Sequence, residues 1–386
     1  MVRFKGGWLL VLTVWIGATV WGAASSTSLG QAKPNIVHIL TDDLGWQDVA
    51  AYYRAVQGKE SIYETPNMDR IAKNGMRFMQ AYSPAATCAP SRAAYMAGQY
   101  TPHTGVLHVM GSTPPRPHNQ GSVFIDGFYP MRLDLSRPNI GRMLKGAGYL
   151  TAHIKKWHIG GRSNGYPAPL DYGFDFSWGG KNKDYNDPDV WDKDMPHKSD
   201  YWNGIWLPLK PRHTGFATAS PADPFRTDPN DDDRPRDGVS ELAVRWLDEA
   251  KDSDQPFVLN LCPSLVHGPI STRDRKRLAY YCEKMGVPFP TDSGRITEKE
   301  WDQQLGQKNP YYAAMVDGLD WMVGKVLTFL ETTDDPRNPG HKLIDNTYIM
   351  VSADNGAAEG RFGTKERVAD NSPLRAGKSS IYEGGI

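Results

Sequence analysis

Four short apolar runs punctuate the chain, and each leads into polar, chemically capable side chains. Asn35-Ile-Val-His-Ile-Leu40 leads into Asp42 and Asp43, and Tyr149-Leu-Thr-Ala-His-Ile154 into Lys156 and His158. Phe257-Val-Leu-Asn-Leu261 leads toward His267, and Tyr348-Ile-Met-Val351 into Asp354 and Asn355. Runs this short and rich in Val and Ile read as buried strands of a parallel sheet covered on both faces.

Helical periodicity lies between them. Thr65-Pro66 opens a helix that ends before Gly75, and Asn139 to Ala147 is a second, stopped at Gly148. Asp237 starts a third, with Leu242, Ala243, Trp246, Leu247 and Ala250 on one stripe. A fourth carries Leu319, Met322, Val323, Val326, Leu327 and Leu330. Strands alternating with helices predict an α/β fold, with a mixed, largely parallel central sheet sandwiched by helices. Ligands of such sheets bind outside the carboxyl ends of the strands, where the four polar clusters fall.

Two segments interrupt the alternation. Val106 to Arg137 and Gly160 to Arg236 are rich in Gly, Pro, Asp and aromatic residues, and loops of that length in a compact domain are functional or disordered. The second holds Tyr172, Trp178, Tyr185, Trp191, Tyr201, Trp202 and Trp206, a density that fits stacking on sugar rings or packing of the loop itself. Asp231-Asp232-Asp233 reads as a solvated turn.

Composition narrows the function. Lys+Arg and Asp+Glu are 44 each in 386 residues, for a formal net charge of zero, which excludes a broadly basic nucleic-acid binder. A hydrophobic share of 39% builds a large core, while 38 Gly and 29 Pro imply long ordered loops. Arg3 and Lys5, the uncharged stretch Trp8 to Trp21, and small residues at Gly22, Ala23 and Ala24 have the three parts of a secretory signal over residues 1–24. The expectation is export, to a periplasmic, extracellular or lysosome-like compartment, with no membrane span left after cleavage. Cys262 and Cys282 are then free to pair or not, and Cys88 is the thiol left over.

The sharpest motif is Cys88-Ala89-Pro90-Ser91-Arg92. Pro90 suits a first helical turn, and Ala93, Ala94 and Met96 continue it to a stop at Gly98. Cys88 at a helix N-terminus, with Arg92 on the same face, suits a phosphate or sulfate ester. A thiol at such a helix end is expected to be acidified. Asp42, Asp43, Asp354 and Asn355 offer oxygen ligands, which fit a hard cation such as Ca²⁺ or Mg²⁺ rather than Zn²⁺.

Cys-x-Pro-Ser-Arg with a following Gly98 resembles the signature of type I sulfatases, of the alkaline phosphatase superfamily. Asp42-Asp43, Lys156-Trp157-His158, His267 before Gly268-Pro269, Asp354-Asn355-Gly356 and the segment from Pro373 through Lys378 to Gly385 resemble the family in the same order. Ala97 departs from it, standing where the family usually has Thr. The resemblance covers residues 34–386 and implies a sulfatase catalytic domain that stops before a small C-terminal subdomain.

It also implies the chemistry. Cys88 would be oxidised by a formylglycine-generating enzyme to Cα-formylglycine, whose hydrate attacks sulfur. One calcium would sit on Asp42, Asp43, Asp354, Asn355 and the modified Cys88. Arg92, Lys156 and His158 would hold the hydrate, and His267 and Lys378 would contact the sulfate and the departing oxygen. The substrate would be an aryl or carbohydrate sulfate. Two alternatives remain at this level: a formylglycine-dependent phosphodiesterase or phosphonate monoester hydrolase, and an inactive carbohydrate-binding sulfatase-like fragment. His38, His153 and Lys155 are set aside as structural.

Overall fold

The computed structural model describes residues 32–109, 129–130, 132–160, 166–179, 227–228, 231–235, 237–268, 270, 272, 274–289, 306–360 and 368–386. Residues 1–24 lie outside these, as do Tyr185, Trp191, Tyr201, Trp202 and Trp206. In chain order the main elements are β1 (Asn35–Thr41), α1 (Ala50–Gln57), α2 (Pro66–Asn74), α3 (Cys88–Ala97), α4 (Thr101–Thr104), α5 (Ile140–Gly146), β2 (Leu150–Lys155) and β3 (Phe176–Trp178). There follow β4 (Thr227–Asp228), β5 (Asp231–Pro235), α6 (Gly238–Ala250), β6 (Phe257–Cys262), α7 (Arg275–Met285), α8 (Pro310–Thr332) and β7 (Thr347–Ala353).

A five-stranded sheet has the order β3-β2-β6-β1-β7, and every pair in it is parallel. All strands therefore point their carboxyl ends to one edge. The alternation of side chains splits the sheet into two unlike faces. Val37, Ile39, Ala152, Ile154, Phe257, Leu259 and Leu261 join α6 and α8 in the main apolar core. α8 is the spine of that layer, with Leu319, Val323, Val326 and Leu330 fully buried; each contributes roughly 1.5–3 kcal/mol of burial. On the opposite face α3 packs with Trp157, Ile159, Tyr172 and Phe174 in a smaller cluster.

Local signals explain the helix ends. The Asp237 side chain accepts from the Val239 and Ser240 N–H groups and starts α6. Asn139 does the same for α5 through the Arg142 N–H. Gly98 ends α3 with φ 61°, in the left-handed region that a side chain resists. The Asp231–Asp233 expectation is corrected: the run belongs to β5, the returning arm of a two-stranded antiparallel hairpin with β4. Backbone pairing with Thr227 and Asp228, which the acidic composition does not announce, makes it a strand. Tyr172 and Trp178 are fully buried, so these two aromatics pack the fold.

Candidate active site

The carboxyl edge of the sheet gathers the polar clusters. Thr41 ends β1 and hands over to Asp42 and Asp43, and Ala353 ends β7 and hands over to Asp354 and Asn355. β1 and β7 are adjacent and in register at Thr41 and Ala353, so the two acidic pairs meet. The Asp43 N–H donates to Asp354 Oδ1 at 3.2 Å, and Asn355 Nδ2 donates to Asp43 Oδ1 at 2.8 Å. Asp43 itself is held at φ 61°, a left-handed conformation of the kind that collects at functional sites. All four residues are buried.

α3 points its first turn at this cluster. The Cys88 thiol lies 3.6 Å from Asp42 Oδ1 and 3.9 Å from Asp43 Oδ1. One turn on, Arg92 Nε donates to Asp354 Oδ2 at 2.8 Å and one of its terminal nitrogens donates to the Lys156 carbonyl at 3.1 Å. Lys156, just past β2, pairs with Asp42 Oδ2. Lys378 donates to Asp43 Oδ2 at 2.7 Å and to Cys88 Sγ at 3.4 Å. His267 Nε2 stands 3.8 Å from Asp43 Oδ2, while His267 Nδ1 is 2.7 Å from the Gly268 carbonyl. His158 follows β2 at the same edge, half-buried and at φ 65°.

The Lys378 loop is knitted in by backbone. The Gly356 N–H donates to the Gly385 carbonyl at 3.0 Å, and the Lys378 N–H to the Ala357 carbonyl at 2.9 Å. A Cβ on Gly356 would come within 1.9 Å of the Gly384 carbonyl oxygen, so only glycine permits the approach.

Electrostatics follow from the packing. Burial raises the cost of ionising Asp42, but Lys156, His267 and Arg92 outweigh it and hold the carboxyl below its ordinary value. Burial lowers the Lys156 and Lys378 ammonium groups, and the nearby carboxylates overcome it and hold both above their usual range. For Cys88 nothing opposes burial strongly enough. Burial, followed by the Asp42 charge, pushes the thiol up to about 12. This corrects the expectation of an acidified thiol: burial, joined by the carboxylates around Cys88, outweighs the helix end.

The arrangement has the donors a hard cation needs. Asp42, Asp43, Cys88 and His267 each bring one ligand atom into a group whose members lie within 4.8 Å of one another. Asn355 Oδ1 is buried with no hydrogen-bond partner, a carbonyl oxygen left without the bond that burial demands. Asp354 is drawn in differently, with one oxygen on the Asp43 amide and the other on Arg92. Sequence reasoning missed the Asp43–His267 approach, and also Tyr312. The Tyr312 hydroxyl lies 3.2 Å from the Asp43 carbonyl and donates to Asp48 Oδ2 at 2.7 Å. No motif announces so long-range a contact. Cys262 and Cys282 are both unbridged: Cys262 ends β6, whereas Cys282 packs with Leu278 and Tyr311 in a separate cluster.

Comparison with known proteins adds the relatives. A family model described as Sulfatase matches residues 34–386. A sulfatase of Formosa agariphila is 28% identical over 379 residues, covering 92% of this chain and 62% of that protein. The N-acetylgalactosamine-6-sulfatase of Homo sapiens is 28% identical over 363 residues, covering 92% and 55%. The chain thus spans about six tenths of the length of the curated relatives it matches. Among solved structures, that of Ps i-CgsB in complex with k-i-k-neocarrahexaose superposes with a TM-score of 0.55 at 26% identity, covering 92% of this chain and 64% of that one. A PsFucS1 sulfatase from Pseudoalteromonas sp. shares the fold, with a TM-score of 0.53 at 22% identity over 91% and 60% of the two chains.

Proposed function

This chain belongs to the sulfatase family, and from that premise we propose that it hydrolyses sulfate esters of carbohydrates or aryl alcohols at the Cys88 site. The observation that carries the proposal is the convergence of Cys88 and Lys378 on the Asp42–Asp43 pair, with Arg92 one turn behind. The donor set fits calcium: Asp42, Asp43, Asp354 and Asn355 would hold it, with the modified Cys88. Bound there, calcium supplies a positive charge that polarises the sulfate oxygens. Cα-formylglycine at position 88, made by a formylglycine-generating enzyme, supplies as its hydrate a hydroxyl nucleophile.

The remaining residues do the binding and proton work. The Lys378 and Lys156 ammonium groups, held charged by Asp43 and Asp42, present fixed positive charge to an anion entering the cluster. Arg92, held by Asp354 and the Lys156 carbonyl, keeps its guanidinium against the acidic cluster one turn behind position 88. His267 is partly exposed and donates from Nδ1 to the Gly268 carbonyl. Its Nε2 is the atom left to exchange a proton, which supports a role for His267, when that nitrogen is protonated, as the acid toward the departing alcohol. We assign His158 to the same shell from its position after Lys156.

A carbohydrate sulfate is favoured because relatives include N-acetylgalactosamine-6-sulfatase and a structural neighbour is seen with neocarrahexaose. Export is proposed from the signal-like pattern of residues 1–24. The test is turnover by protein co-expressed with a formylglycine-generating enzyme. Sulfated galactose saccharides, 4-nitrophenyl sulfate and 4-nitrophenyl phosphate would be compared with and without calcium. Calcium-dependent release of sulfate from the esters is expected. Faster cleavage of the phosphate, or no release when mass spectrometry shows position 88 converted, would overturn the proposal.

A further inference from the structure

The face of the sheet that meets α3 is polar along one row. His38 on β1 is in register with Asn260 on β6, and Asn260 with His153 on β2. Three adjacent strands thus carry a polar side chain at the same level, and all three are buried. Tyr95, three residues beyond Arg92 on α3, reaches into the row. Its hydroxyl is 2.7 Å from His38 Nδ1 and donates to Asn260 Oδ1 at 3.2 Å. Asn260 Nδ2 lies 2.9 Å from His153 Nδ1, and Ser352 Oγ of β7 lies 2.8 Å from His38 Nε2.

The donors and acceptors run in one direction. Tyr95 has a single proton and gives it to Asn260, so His38 Nδ1–H donates to the Tyr95 oxygen and His38 Nε2 accepts from Ser352. The Asn260 amide then donates to His153 Nδ1, which leaves the proton of His153 on Nε2. Burial, followed by the charge of Arg92, pushes His38 down to about 4 and His153 to about 3, so both rings are neutral at pH 7. Such a chain is cooperative and geometrically demanding.

An apolar row would avoid the cost of burying these groups. α3, however, presents Ala89, Ala93 and Ala97 with only Met96 among them to its cluster, and methyl groups and one flexible thioether chain give little to stop a helix sliding along its axis. We propose that the row His38–Tyr95–Asn260–His153 sets the axial position of α3 on the sheet and so positions Arg92 and Cys88. These four are positioning residues, and the inference rests on the sulfate-ester reading of the site.

The test is Tyr95→Phe in the full chain, matured with a formylglycine-generating enzyme and assayed with calcium and 4-nitrophenyl sulfate. The expected loss in kcat is on the order of tenfold, with KM within about threefold. Val326→Ala in the distant core should lower Tm comparably yet keep kcat within about twofold. Ser352→Ala, at the exposed end of the chain of bonds, should fold regardless and lose kcat by roughly threefold. Unchanged kcat in both Tyr95→Phe and Ser352→Ala, or an equal loss in Val326→Ala, would overturn the inference.

A spectrum separates this inference from the functional reading. In ¹⁵N-histidine spectra near pH 7.5, His38 should carry its proton on Nδ1 and His153 on Nε2. Tyr95→Phe should shift both rings and the Arg92 Nε–H signal. If the wild type hydrolyses no sulfate ester, the functional reading fails and these spectra decide the row alone. Opposite tautomers, an imidazolium, or an unmoved Arg92 signal would sink it.

Discussion

Removing Arg92 tests the electrostatic core of the site. Its side chain is 3% exposed and that of its partner Asp354 is 0% exposed, with 2.8 Å between Nε and Oδ2. Solvent screens this pair very little, and Arg92→Met would leave a buried carboxylate beside Asp42 and Asp43. Breaking a buried pair from one side costs ~3–5 kcal/mol, which for a chain of this size lowers Tm by roughly 4–6 °C. The assay is thermal unfolding in a chelator, so that no cation compensates the orphaned charge. Arg92→Met/Asp354→Asn should be less destabilised than the sum of its single variants by about 2 kcal/mol. Strictly additive losses, or a Tm change within about 2 °C, would refute the reasoning.

Four further outcomes are expected. Calcium at about a hundred times its Kd should stabilise the protein by ~2.7 kcal/mol, with a smaller effect from zinc at equal free concentration because most donors are oxygens; a chelator-insensitive Tm would count against the cation. Unconverted Cys88, its thiol pushed up to about 12, should react with iodoacetamide at pH 8 on the order of a thousandfold more slowly than free cysteine, and fast labelling would disprove the buried, carboxylate-ringed setting. Asp42 is held below its ordinary 3.8, so its stabilisation is full above that pH and is lost as pH falls through the lowered value. Asp42→Asn should flatten that acid limb in urea titrations below about pH 4, and an unchanged limb would remove Asp42 as its source. Asp237→Ala deletes the cap of α6 and should cost about 1 kcal/mol in urea unfolding; no loss would mean the cap is idle.

The sheet and its polar edge were legible because each strand announces itself twice, by an apolar run and by the reactive residues that follow it. Helix ends were legible where one residue decides them, as Asp237 and Gly98 do. What was not legible depends on pairing. His38, Asn260 and His153 are single polar residues in three separate runs, and only strand register shows that they form one row. The thiol of Cys88 was misjudged for the same reason. Its helix end is written locally, while the burial that outweighs it, and the carboxylates that follow β1 and β7 and add to it, come from tertiary packing. Tyr312 reaches Asp43 from α8, 269 residues away in sequence.

The three closest ion pairs of the site have a consequence in charge stoichiometry. Asp42, Asp43 and Asp354 are matched one for one by Lys156, Lys378 and Arg92, so the charges of these six side chains sum to zero before anything binds. A divalent cation gives it two positive charges, which an esterified sulfate half cancels and a released sulfate dianion cancels fully. Cation and anion affinity are then linked and, by reciprocity, each tightens the other by the same factor. Raising calcium should therefore strengthen inhibition by free sulfate more than it strengthens substrate binding, a brake on turnover set by the product of the proposed hydrolysis.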